Sequence, residues 1–193
     1  VSGGHTQIWN VKKYKDYDLL SNTIDDAAGE AFDKGARMLG LGYPGGPEIE
    51  KVSNGGLIDK FNFPIARVKK SKYNFSFSGL KTSLYYLLKK ESNLSKNDIK
   101  DISASYQEAI LEALIQKLTY IANETNIYDI VISGGVTANK RFRYKLEVLN
   151  EQNLYKIHYP PIKYCTDNAA MICIAGYEKV INKQFSDITL NIF

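Results

Sequence analysis

The sequence has 193 residues, of which 44% are apolar and 24% charged, and its formal net charge is +4. Those proportions exclude a disordered tail and a collagen-like repeat, and the length suits one domain or at most two small ones. No apolar run reaches the roughly 18 residues of a membrane helix, so no membrane span is expected.

The chain opens on Val1-Ser2-Gly3-Gly4, a glycine turn of the kind that follows a strand. No charged and apolar leader pattern accompanies it, so no signal peptide is expected and the chain reads as a piece of a longer protein. Residues 6–24 read as two strands joined by a polar turn, because apolar and polar residues alternate from Thr6 to Val11 and apolar character resumes at Leu19. Residues 26–39 read as a helix capped by Asp25 or Asp26, with Ala28, Phe32, Ala36 and Leu39 on one stripe. The run GLGYPGGP (40–47) is a turn-rich break, and residues 48–53 read as a short helix opened by Pro47 and ended by Asn54-Gly55-Gly56. Residues 57–78 look irregular, with Phe61, Phe63, Phe75 and Phe77 set among basic residues. Residues 80–91 follow a helical pattern, and Ser95 starts a longer helix to about Asn123. A short buried strand (129–133) runs into Gly134-Gly135, followed by a basic helix (139–149), a strand (155–159) and a Pro-Pro stop. Thr166 or Asp167 then caps a final helix through about Asn182. One α/β unit with a helical insertion at about 79–125 fits this order.

Charge is unevenly placed. Residues 60–100 carry ten basic and two acidic side chains, +8 net, against −4 for the rest. A positive segment of that kind fits a polyanion such as RNA, although a lysine-rich composition also produces it. Cys165 and Cys173 form no CxxC and no disulfide framework, which fits structural thiols in a reducing cytoplasm. With only His5 and His158, a metal site built from this chain alone would be short of imidazoles.

Ser2-Gly3-Gly4-His5-Thr6 and Ser133-Gly134-Gly135-Val136-Thr137 are near copies. Glycines let backbone N–H groups approach an anion with no Cβ in the way, so the pair suits a nucleotide or acyl phosphate; two ordinary strand turns are the plainer reading. Asp26, Glu30 and Asp33 share a helix face, where a carboxylate can accept from ribose hydroxyls or simply face solvent with Arg37 as ion partner. Asp167 is either a helix cap or a hard oxygen ligand for a metal. Gly45-Gly46 is a turn or a place where a ligand meets bare backbone, and Asn139 is a cap or a reader of a base edge.

Five motifs in this order, VSGGHTQ (1–7), DDAAGEAFDKGARMLGLGYPGGP (25–47), FSFSGLKTS (75–83), SGGVTANKRFR (133–143) and CTDNAAMI (165–172), resemble the TsaD family, also called glycoprotease, Gcp or O-sialoglycoprotein endopeptidase. The resemblance runs from Val1 to about Glu178. It implies the second lobe of an actin-like ATPase fold (ASKHA, RNase H-like) with a helical insertion and the first lobe absent. It implies transfer of a threonylcarbamoyl group from threonylcarbamoyl-AMP to N6 of adenosine 37 in tRNAs reading ANN codons. The peptidase name finds no support, since neither an HExxH nor a nucleophile–base pair is present.

By the same resemblance, Val1, Ser2, Gly3 and Gly4 would face the phosphate and acyl part of the adenylate. Asp33 would bind the ribose with Gly46 against it, Glu50 would lie one helical turn on, where the family often has Asp, and Asn139 would contact the adenine. Asp167 would be one ligand of a divalent metal, iron or alternatively zinc. The other ligands, a His-x-x-x-His pair, belong to the first lobe, and this sequence has no such motif. Residues 60–100 with Lys140, Arg141 and Arg143 become candidates for tRNA phosphates. A TsaB-like paralogous subunit and a TsaE-like ATPase are the implied partners, in the cytoplasm. On its own the chain is expected to be inactive; the alternative is a non-catalytic paralogue or remnant serving as a partner module.

Overall fold

The computed structural model describes residues 1–13, 15–66, 68, 71–91, 93–187 and 189; Arg67, Lys69 and Lys70 of the basic stretch lie outside the described residues. The described residues form a mixed α/β structure of six α-helices and two small sheets. The two expected first strands form a hairpin. β1 (Gln7–Lys13) pairs antiparallel with β2 (Asp16–Asn22), placing Trp9 opposite Leu19 and Val11 opposite Tyr17. All four of these side chains are exposed.

Helix α1 (Ala28–Met38) buries Ala28, Phe32 and Ala36, the stripe its 3.6-residue period dictates. Its cap corrects the sequence reading. Ala27 takes the N-cap place, and its N–H donates to the Glu30 carboxylate at 3.4 Å. Asp26 instead pairs with Lys34 at 2.5 Å, and Lys34 also reaches Glu30, so Lys34 rather than Arg37 is the ion partner on this face. Asp25 turns toward α3 (Ser78–Lys90), accepting from the Ser76 and Ser78 hydroxyls and from the Phe77 N–H at 2.8 Å. Burial opposes the Asp25 charge, but these donors outweigh it and hold its pKa below the ordinary value.

Helix α2 (Gly45–Ser53) begins three residues earlier than expected, with Pro47 inside its first turn. The reason is a cap supplied from a distance: the Asp33 carboxylate accepts the Gly45 N–H at 2.7 Å. The 30-residue helix α4 (Lys96–Thr125) opens where Ser95 predicts, in a reciprocal cap with Asp98. Hydrogen bonds from Ser95 and Lys60 lower the Asp98 pKa to about 2.

The core gathers on α4. Ile102, Tyr106, Ile110 and Leu111 are fully buried, together with Phe32, Ile49 and Phe77 of the surrounding segments. Tyr106 donates its hydroxyl to the Ala31 carbonyl at 3.0 Å. Its ring lies where a Cβ on Gly35 would stand, so only glycine lets α1 and α4 approach this closely.

The second half is a β-α-β unit. β3 (Asp129–Val131) runs parallel to β4 (Lys156–His158), with α5 (Lys140–Glu151) between them. The last helix, α6 (Ala169–Ile181), is capped by Asn168, whose side chain accepts the Met171 N–H at 3.1 Å, and not by Thr166 or Asp167. No residue of α6 is buried, and Met171, Ile172, Ile174 and Tyr177 face solvent. Among the described residues, no helix is long and apolar enough to cross a membrane.

Candidate functional site

The two glycine turns meet. The Val1 amino group donates to the Ser133 carbonyl at 2.6 Å, and the Val1 carbonyl accepts from the Val136 N–H at 3.2 Å. Gly134 makes this contact possible. Its φ is +100°, and a Cβ there would fall on the Val1 carbonyl. On the other side Gly29, in the first turn of α1, packs against the first glycine turn: its N–H donates to the Ser2 carbonyl at 3.1 Å, and a Cβ would meet Gly3 Cα. The turn itself is held by Ser2 N–H to the His5 carbonyl at 2.8 Å and His5 N–H to Ser2 Oγ at 3.1 Å. Beneath it the buried Thr6 hydroxyl accepts from the Ala28 N–H at 2.9 Å.

Three other glycines are different. A Cβ on Gly3, Gly4 or Gly135 would meet nothing within 4 Å, and none of them has a positive φ. Their lack of a side chain answers no demand of packing or backbone. The turns therefore present bare backbone outward, next to the N-terminus of α1, where the helix dipole favours an anion. Among the described residues, buried Thr137 keeps a hydroxyl with no hydrogen-bond partner.

A second group of predicted residues lies along α2, α4 and α5, joined by a closed circuit of hydrogen bonds. Glu50 Oε1 accepts the Lys140 N–H at 3.2 Å. Asn139 Nδ2 donates to Gln107 Oε1 at 2.7 Å, Gln107 Nε2 donates to Ser53 Oγ at 3.0 Å, and Ser53 Oγ donates to the Glu50 carbonyl at 2.9 Å. Asn139 Oδ1 also caps α5 through the Phe142 N–H at 2.9 Å. Asn139 is only 6% exposed, so its amide oxygen and nitrogen both have protein partners. Asp33 has one carboxylate oxygen on Gly45, and Gly46, next along α2, has free space where a Cβ would stand.

Two of the expected tRNA contacts, Arg141 and Arg143, have partners within the fold. Arg141 grips Glu108 with two nitrogens at 2.9 and 3.1 Å, and Lys145 bridges Glu108 and Glu112. Burial opposes the Glu108 charge, but Arg141 and Lys145 hold its pKa below the ordinary value. Arg143 donates to the Thr137 and Pro160 carbonyls and stacks over Tyr159 with 4.7 Å to the ring centroid. Its guanidinium also contacts the buried Cys165 thiol at 3.2 Å, as a structural cysteine should; Cys173 is exposed. Lys60 pairs with Asp98 and Asp101, whereas Lys72, Lys81, Lys89, Lys90 and Lys96 are exposed.

Asp167 sits on an exposed stretch between Cys165 and the Asn168 cap. Among the described residues no three His, Cys, Asp or Glu side chains converge on a point. One carboxylate is too few donors for a bound iron or zinc, so this chain by itself does not fit the implied metal.

A family model described as "TsaD: tRNA N6-adenosine threonylcarbamoyltransferase" matches residues 1–174. The chain belongs to the TsaD family. Proteins named tRNA N6-adenosine threonylcarbamoyltransferase are similar to it across nearly its whole length. That of Thermosipho africanus is 50% identical over 192 residues, covering 98% of this chain and 57% of the relative. Those of Fervidobacterium nodosum (48% identical, 93% of this chain, 54% of the relative) and Thermotoga neapolitana (45%, 99% and 58%) agree. The chain thus spans somewhat more than half the length of these TsaD relatives. Sequence reasoning misses Gln107, Ser53 and Gly29 as parts of this candidate site. Gln107 stands in a mixed polar and apolar stretch of a long helix and Gly29 beside small residues, so neither gives a signal until the helices are packed. For Gly134 the duplicated Ser-Gly-Gly motif was the usable clue.

Proposed function

We propose that this chain is the adenylate-binding half of a tRNA N6-adenosine threonylcarbamoyltransferase, with the fold of the second lobe of an actin-like ATPase. The observation that carries the reading is the meeting of the two glycine turns, which leaves Gly3, Gly4 and Gly135 as open backbone that nothing in the fold requires. Threonylcarbamoyl-AMP has an acyl phosphate that suits such a surface. The backbone N–H groups of Gly3 and Gly4, next to Val1 and Ser2, hold its phosphate and carbamoyl oxygens. The second oxygen of Asp33 takes a ribose hydroxyl, with Gly46 letting the sugar lie close. Glu50 and Asn139, braced by Gln107 and Ser53, border the adenine.

In the transfer, N6 of the tRNA adenine forms a bond to the carbamoyl carbon, the anhydride C–O bond breaks, AMP leaves with that electron pair, and N6 loses a proton. Negative charge gathers on the carbamoyl oxygen and then on the leaving phosphate. Fixed N–H groups at the glycine turn stabilise both, because they need no reorganisation as the charge develops. The exposed lysines of residues 72–96 supply electrostatic attraction for tRNA phosphates. Metal ligation would need side chains beyond this chain's own, and partner subunits of the TsaB and TsaE kinds would act on the complete protein. Chain 1–193 alone is inactive on this reading, as its single candidate ligand Asp167 implies.

The decisive experiment uses glycines whose replacement the fold tolerates. Gly3→Ala, Gly4→Ala and Gly46→Ala should leave the melting temperature unchanged yet weaken binding of AMP, measured by calorimetry, at least tenfold. Unchanged AMP affinity in all three would return these glycines to ordinary turns and favour the partner-module reading. Tenfold is about 1.4 kcal/mol, the size of one lost hydrogen bond to a charged group.

A further inference from the structure

Helix α3 has two unlike faces. Leu80 and Leu84 are buried and Leu87 and Leu88 pack partly against the core, the stripe that a 3.6-residue period gives. The opposite face carries Lys81, Tyr85 and Lys89 in one row and Thr82, Tyr86 and Lys90 in the next, each row stepping by one helical turn. All six side chains are exposed, Tyr85 at 53% and Tyr86 at 63%. The two rings meet edge to face with centroids 5.5 Å apart.

Packing does not account for this face. Among the described residues neither tyrosine hydroxyl has a hydrogen-bond partner, and none of the three ammonium groups has an ion partner. Lys89 and Lys90 complement the C-terminal end of the helix dipole, but Lys81 stands near the N-terminal end, where a cation is disfavoured. The helix itself has no acidic residue. Cations on either side of exposed aromatic rings suit a strand whose phosphates meet the ammonium groups and whose bases meet the ring faces. A duplex keeps its base faces stacked inside, so the fitting ligand is unpaired RNA. An anionic lipid surface would accept the lysines but also needs a broad apolar face, and the leucines of α3 are turned inward.

The face also starts close to the glycine turns. Asp25, just ahead of α1, accepts from Ser76, Phe77 and Ser78 at the beginning of α3, while Gly29 in the first turn of α1 touches Ser2. From that end the tyrosines lie about 11 Å along the helix axis. We propose that this face of α3 is a stacking platform for unpaired RNA, with Tyr85 and Tyr86 receiving bases and Lys81, Lys89 and Lys90 the flanking phosphates. Resting on the tRNA-modifying reading above, those bases are unpaired neighbours of the adenine whose N6 reacts at the glycine turns.

The test measures binding of a fluorescein-labelled single-stranded RNA of mixed A and U, about ten nucleotides long, to chain 1–193 by anisotropy across a salt series. Tyr85→Ala with Tyr86→Ala should weaken binding at least tenfold and leave the salt slope unchanged, whereas Tyr85→Phe with Tyr86→Phe should bind as the parent does. Lys89→Gln with Lys90→Gln should make the log–log salt dependence shallower by about 1.4. AMP affinity should stay at the parent's value in all of these, since none lies at the glycine turns, so this proposal and the adenylate reading can fail separately. No RNA binding by the parent, parent-like binding by the alanine variant, or an equal loss toward a duplex of the same sequence overturns the proposal. Loss of binding to phosphatidylserine vesicles in the alanine variant, with RNA affinity unchanged, assigns the face to a membrane and overturns it too. A fall in AMP affinity in that variant would place the tyrosines in the adenylate site and likewise overturn it.

Discussion

Replacing Gly134 by alanine should be far more damaging than replacing its neighbour Gly135. At Gly134 the backbone has φ +100° and ψ 168°, a region that only glycine occupies readily. Forcing an L-residue into it costs about 1–3 kcal/mol. The new methyl would also overlap the Val1 carbonyl, so the contact must open. Two hydrogen bonds, Val1 to Ser133 and Val136 to Val1, would go with it, at about 1 kcal/mol each. Together the loss is about 3–5 kcal/mol. For a domain of this size each kcal/mol moves the melting temperature by about 2–4 °C, so a fall of roughly 6 to 20 °C is expected. Gly135 has open space and an ordinary φ, and Gly135→Ala should stay within about 0.5 kcal/mol of the parent. Urea unfolding followed by circular dichroism measures both. Equal midpoints for the two variants would refute the argument that Gly134 locks the turns together.

Asn139→Ala removes the α5 cap and leaves Gln107 Oε1 without its donor, a loss of about 2–4 kcal/mol in the same assay, while Asn139→Asp keeps the cap and should lose less. Gly35→Ala places a methyl against the Tyr106 ring and should cost about 1–3 kcal/mol; a Tyr106→Leu background that relieves it would show as coupling in a double-mutant cycle. The Asp98 carboxyl, held near 2 in the folded protein against an ordinary 3.8, supports the start of α4 fully above pH 4 and loses that support as pH falls from about 4 toward 2. Asp98→Asn should therefore flatten the fall in melting temperature across that window, and an unchanged slope would contradict the assignment.

Much of this molecule is readable where the determining interactions are local. The stripe of Ala28, Phe32 and Ala36 and the start of α4 at Ser95 follow from periodicity and from a cap three residues away. Errors arose where a side chain acts across the fold. Asp33 caps a helix 12 residues further on, which moved the start of α2 from Glu48 to Gly45. Asp25 caps α3, about 50 residues away, and so was unavailable to α1. Lys34 rather than Arg37 pairs on this face because it stands one helical turn after Glu30 and about two after Asp26, where its ammonium reaches both carboxylates. For the site, repetition of Ser-Gly-Gly was visible in the sequence, but not that one copy is pressed onto the other. The circuit through Gln107 and Ser53 needs three helices to be placed before any of its bonds can be named.

Trp9 is the sole tryptophan of the chain, and it lines the groove between β1 and β3 with 47% of its surface open. The protein consequently contains one indole chromophore, at the place where the two sheets face each other. A wetter or drier groove would shift its emission to the red or to the blue with no other indole to dilute the signal. Quenching by iodide or acrylamide would then read access to that gap directly, in unlabelled protein and at micromolar concentration.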